Sequence, residues 1–131
     1  MSIRGIIDGT ISFSGEDNPI IQDITVSSTS SPIVSIPLTF IKNGLLCTMF
    51  IGPFNSSTTT NIIIDMSDPS ISQFLPTNSP FYSNILINNG SINQFAILSW
   101  DTGTSLMTIN TIDTTTSIGI TEIQSINYIT Q

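Results

Sequence analysis

Residues 74–109, FLPTNSPFYSNILINNGSINQFAILSWDTGTSLMTI, constrain the fold more than any other stretch of this chain. Short apolar runs alternate there with turn residues. Asn84-Ile85-Leu86-Ile87 ends at Asn88-Asn89-Gly90, the run from Phe95 to Trp100 ends at Asp101-Thr102-Gly103, and a further run starts at Leu106. Strand, turn, strand at this spacing predicts an antiparallel sandwich or barrel. Pro76 lacks an amide donor and suits the entry or edge of a strand.

The remaining segments carry the same pattern. Residues 6–13 alternate from Gly9 onward and read as one half-buried strand. In residues 20–26, Ile20, Gln22, Ile24 and Val26 share one face, opposite Ile21, Asp23 and Thr25. The Ser/Thr run at 27–31 is too polar to bury and reads as a loop. Residues 33–51 form a hairpin around Asn43-Gly44, the dipeptide favoured in a type I′ turn. Pro37 marks its outgoing strand as an edge or a bulge. Residues 61–66 read as a fully buried strand, 55–60 and 113–117 as polar loops, and 118–129 as the last strand. Asp68-Pro69 caps the one helical turn the sequence suggests. About eight to ten strands result, with little or no helix, in one domain over residues 1–131.

Composition narrows the function classes. Two basic residues stand against nine acidic ones, for a net charge of −7. Phosphate backbones are bound by clustered Lys and Arg, so nucleic acid is excluded as a partner, and an anionic membrane surface is disfavoured. Charged residues make up 8% of the chain, against about 25% in an average domain. The surface is therefore solvated by Ser, Thr, Asn and Gln. No apolar run reaches the ~20 residues of a membrane helix, and the N-terminus has no signal-peptide pattern. Asn55-Ser56-Ser57 and Asn89-Gly90-Ser91 fit the glycosylation sequon and, without such a signal, read as polar turns.

Few groups suit catalysis. Histidine is absent, which removes Ser-His-Asp, Cys-His and His-metal arrangements. Cys47 is the one cysteine and reads as a small buried hydrophobe. Glu16-Asp17 and the pair Asp65 and Asp68 are the carboxylates a glycosidase would need; turn and capping roles explain them better. The acids are too scattered for a calcium loop. No catalytic, metal or cofactor-binding residue is assigned, and no cofactor is expected. Trp100, Asp101 and Tyr82 are the candidate ligand contacts, as a sugar-stacking aromatic set with an acidic neighbour; for Trp100 itself a core position at a strand end is the favoured reading.

The order of segments resembles the trimeric jelly-roll heads that end viral and phage fibres, which look like complement-type and tumour-necrosis-factor-like globular domains. The resemblance rests on the hairpin strand at 43–50, Leu75-Pro76, the Gly-x-Leu-x-Ile-like run at 103–109 and the closing Tyr128-Ile129, and it spans residues 32–131. It implies an all-β antiparallel sandwich of jelly-roll type. It also implies a non-enzymatic virion protein, a homotrimer used for host attachment through a surface receptor or glycan. The composition would suit a large DNA virus, a virophage or a phage. No stalk repeat precedes the head in this sequence, so a minimal protein or an excised head is expected. Phe95, Ile97, Ile126 and Tyr128 are the candidate trimer-packing residues. The alternatives are a monomeric lectin-like sandwich and a minor capsid or cement protein that binds capsid proteins.

Overall fold

The computed structural model describes residues 3–7, 10–13, 18–29, 32–57, 61–111 and 117–130. Among them are twelve strands: β1 (Ile3–Ile7), β2 (Thr10–Phe13), β3 (Ile20–Ser27), β4 (Ser35–Asn43), β5 (Leu46–Ile51), β6 (Phe54–Ser56), β7 (Asn61–Asp65), β8 (Phe81–Asn88), β9 (Asn93–Asp101), β10 (Leu106–Thr111), β11 (Ile118–Ile120) and β12 (Gln124–Ile129). A 3-10 helix, Pro69–Phe74, is the helical element among these residues; Asp68 caps it by accepting from the Ser70 amide, as its sequence suggested.

Every strand pairing is antiparallel. β1 and β2 make a two-stranded sheet, six strands follow the order β6-β11-β8-β9-β10-β7, and four follow β12-β5-β4-β3. This is the expected all-β sandwich. In the larger sheet β8, β9 and β10 are joined in succession and β7 returns beside β10, a Greek-key arrangement. The sheet edges also meet: Ser28 bridges Ile64, the Thr29 amide donates to the Ile63 carbonyl, and the Leu86 amide donates to Oε1 of Gln124.

The pleat explains the core. Alternate residues point inward from each sheet, so Ile36, Leu38 and Phe40 of β4 and Cys47, Met49 and Ile51 of β5 face Ile85, Ile87, Leu98, Trp100, Met107 and Ile109 across the sandwich. At its centre the Phe40 and Phe74 rings stack at 4.9 Å, and Trp100 meets Tyr128 edge-on at 5.9 Å. The Tyr128 hydroxyl donates to the Phe74 carbonyl at 2.6 Å and accepts from Sγ of Cys47 at 3.3 Å. Burial is the main reason its phenol is held far above the ordinary range, and burial likewise pushes the Cys47 thiol up.

Several expectations are corrected. Residues 6–13 are not one strand, because Ile7 of β1 pairs with Thr10 of β2 in an antiparallel arrangement. Residues 118–129 split at 121–123, so β11 joins the larger sheet and β12 the smaller. These divisions and short β6 carry the strand number beyond eight to ten. The β4–β5 turn places Gly44 and Leu45 between the paired Asn43 and Leu46, with φ 65° at Gly44, a pattern that fits type II′ better than type I′. The strand at 61–66 is an edge with Ile63 half-buried, and Ser28 of the Ser/Thr run is buried, its hydroxyl accepting from the Val34 amide. Residues 15–17, 30–31, 58–60 and 113–116 of the expected turns and loops lie outside the described residues.

Pro37 sits in an interior strand, contrary to expectation. Its carbonyl accepts from the Gly52 amide at 2.8 Å, just past the end of β5. N and C=O of one strand residue point the same way, so the missing donor faces that end and the β3 ladder loses nothing. A Cβ on Gly52 would lie 2.7 Å from Cγ of Pro37. Gly52→Ala is therefore expected to cost about 1–3 kcal/mol, read by urea unfolding, and Pro37→Ala in the same chain should recover most of it. Tyr128→Phe leaves the Phe74 carbonyl without its donor and should cost about 1–3 kcal/mol in the same assay.

Candidate functional site

The proposed ligand triad does not assemble. Trp100 is 0% exposed, on the inward side of β9, where no ligand can stack on it. Asp101 is half-buried, and its Oδ1 accepts from the Gly103 amide at 2.9 Å and the Ser79 hydroxyl at 3.3 Å, closing the β9–β10 turn. Tyr82 is 64% exposed on the opposite face of the sheet from Trp100. The sequence placed a Trp at a strand end beside a turn; the inward parity of β9 removes it from the surface.

The four packing candidates divide in the same way. Ile126 and Tyr128 are 3% and 5% exposed and pack between the sheets of their own chain, so neither is open to a second copy. Phe95 and Ile97 are 66% and 43% exposed, on the outer face of the larger sheet. The register builds a patch around them. Leu86 stands opposite Phe95, Asn84 opposite Ile97, and Tyr82, Ser99, Thr108 and Ile63 form the next row. Asp101 and Asp65 flank Leu106 at the end of this face and are its charged groups among the paired rows of β8, β9, β10 and β7. A depression of about 370 Å³ beside Tyr82 and Ile97 roughens it.

A larger crevice, about 600 Å³, opens at the other end of the same sheet, between Phe54, Asn55, Asn88, Ser117, Gly119 and Thr121. In register, Asn55 pairs with Gly119 and Gly119 with Asn88, so a glycine lies between two carboxamides. A Cβ on Gly119 would sit 2.8 Å from the Phe54 carbonyl oxygen and 3.1 Å from Oδ1 of Asn55. Sequence reading missed this place, because 118–129 looked like one continuous strand; the Ile-Gly-Ile run at 118–120 was the available signal.

Asp65 and Asp68 serve the backbone. Oδ1 of Asp65 accepts from the Ser67 amide, and Oδ1 of Asp68 from the amide and hydroxyl of Ser70. Hydrogen bonds from Ser67 and Ser70 hold both carboxyls below the ordinary carboxylate range, the reverse of what a general acid requires. Glu16 and Asp17 lie outside the described residues. Among the described residues no three His, Cys, Asp or Glu side chains are grouped to hold a metal, and no helix is long and apolar enough to cross a membrane.

No protein-family model matches the chain, and no curated protein matches it. Solved structures do. A reovirus attachment protein, sigma1, in complex with alpha-2,3-sialyllactose, matches at a TM-score of 0.56 and 12% identity, over 96% of this chain and 85% of that one. The C-terminal receptor-binding domain of the avian reovirus fibre sigmaC matches at 0.53 and 13%, over 95% and 93%. The chain shares its β-fold with these two viral proteins.

Trp100→Ala should cost about 3–5 kcal/mol of stability in urea unfolding, as loss of core packing. The depressed Asp65 and Asp68 contribute stability that is complete above the unfolded carboxylate value of about 3.9 and is lost as pH falls through their lower folded values. Asp65→Asn with Asp68→Asn should flatten the acid side of a stability-against-pH curve.

Proposed function

We propose that this chain is a non-enzymatic attachment head of a viral fibre, one domain over residues 1–131, carried on the virion as a homotrimer. The likeness of fold along 95–96% of the chain to two fibre heads is the observation that carries this reading. One of those proteins was solved with a sialylated sugar and the other is a receptor-binding domain, so a host-surface receptor or glycan is the class of partner. The placement of Asp65, Asp68 and Asp101 on backbone donors agrees with a protein that works through its surfaces.

Copies meet through the outer face of the larger sheet. Fully burying side chains such as Phe95, Ile97 and Leu86 against a neighbour contributes about 1.5–3 kcal/mol each. Each chain carries a net −7, so association favours a face whose charges are confined to the Asp65 and Asp101 end. A sheet apolar on both sides needs cover on both sides. The buried Trp100 argues against the lectin-like monomer built around that residue.

The test is binding of fluorescent domain to intact cells that take up the parent particle. Saturable binding that blocks particle attachment is expected; non-saturable binding, or none, would refute the reading. Phe95→Asp with Ile97→Asp should weaken cell binding about 100-fold or more, because loss of the trimer removes avidity.

A further inference from the structure

We propose that the crevice between β6, β11 and β8 is a binding site for a neutral, hydroxyl-rich saccharide; this deepens the attachment reading and rests on it. The volume of about 600 Å³ lies within the range of about 300–1,000 Å³ typical of small-ligand sites. Its polar groups are carboxamides and hydroxyls: Asn55, Asn88, Ser117 and Thr121. A carboxamide offers a donor and an acceptor side by side, which matches adjacent sugar hydroxyls, and a hydroxyl supplies either role. Phe54 packs against the core and contributes its backbone carbonyl to the crevice, an acceptor for a sugar hydroxyl.

The donors are differently prepared. Asn88 is fixed, since its Nδ2 donates to Oδ1 of Asn93 and its Oδ1 accepts from the Gly90 amide. The side chains of Asn55, Ser117 and Thr121 hydrogen-bond to no described residue, so their capacity remains for a ligand. Gly119 lets the Phe54 carbonyl and the Asn55 carboxamide close in over it, since a Cβ would need the space they occupy, and this brings the Asn55 amide to the floor of the crevice. The row Asn55-Gly119-Asn88 is thus a shallow trough walled by two amides.

Charge decides the class of sugar. No lining residue is ionisable, and the chain carries seven net negative charges. Lys42, the one lysine, is engaged elsewhere, its Nζ donating to the Gln73 carbonyl. A carboxylate entering the crevice would shed water without meeting a cation, inside a repulsive field. A neutral sugar meets neither cost.

The experiment records amide chemical shifts of the ¹⁵N-labelled protein against neutral oligosaccharides ending in galactose, fucose or N-acetylglucosamine, and against alpha-2,3-sialyllactose. Shifts at Asn55, Gly119 and Thr121 with a neutral sugar are expected, weakened about tenfold by Asn55→Ala and again by Ser117→Ala, and unchanged by Thr25→Ala on the smaller sheet. Both crevice side chains are at the surface, and an unaltered melting temperature shows that each variant folds. Preference for the sialylated sugar, equal binding by the variants, or no crevice shift with any neutral sugar would overturn the proposal. Cell binding of the same preparation separates the two readings. Cell binding without crevice shifts removes this site and leaves attachment standing; crevice shifts without cell binding keep the site and remove the attachment role.

Discussion

The ring cluster of Phe40, Phe74, Trp100 and Tyr128 is the contact on which the sandwich depends. It draws one residue each from β4, β9, β12 and the 3-10 helix, with Phe81 of β8 5.4 Å from Tyr128. Antiparallel sheets stack about 10 Å apart, and the rings meet across the middle of a core otherwise filled by interdigitating Ile, Leu and Met. The Tyr128 hydroxyl fastens the end of the 3-10 helix through the Phe74 carbonyl, and Lys42 holds the neighbouring Gln73 carbonyl. The connection between β7 and β8 is thereby tied to the smaller sheet.

Placing these residues inside leaves the surface to uncharged polar groups and a few apolar ones. Four aspartates accept from a nearby turn, cap or cross-strand donor: Asp23 from the Thr39 hydroxyl, and Asp65, Asp68 and Asp101 from backbone amides. What remains for recognition is geometry: an apolar face indented beside Tyr82 and Ile97 and an amide-walled trough on the larger sheet. Both belong to the outer face of the larger sheet: Asn88 at the rim of the trough stands two residues from Leu86 on β8, and the trough extends from there across β11 to β6.

Fold class was legible because regularly spaced turn residues and β-branched runs are local signals. Strand parity was legible in β3, where Ile24 and Val26, expected on one face, share the inward side, although Ile20 of the same row is 44% exposed at the strand's start. For Trp100 a position beside a turn leaves core and surface both open; the core position favoured from the sequence is the one the pairing with Phe81 and Met107 produces. Pairing between distant segments was hidden. Pro37 looks like an edge residue until the end of β5 beside it is known, and the Ile118-to-Ile129 run looks continuous until its halves join different sheets. Of the candidate contacts Tyr82, Phe95 and Ile97 are at the surface, while the trough depends on three strands meeting and has no single-segment signature.

Self-association through the larger sheet is the claim on which the surface account turns, and the most direct measurement is solution mass by light scattering after size exclusion, across a range of concentrations. The account predicts a mass three times that of the 14.1 kDa chain, unchanged on dilution. A mass equal to one chain at every concentration would contradict it.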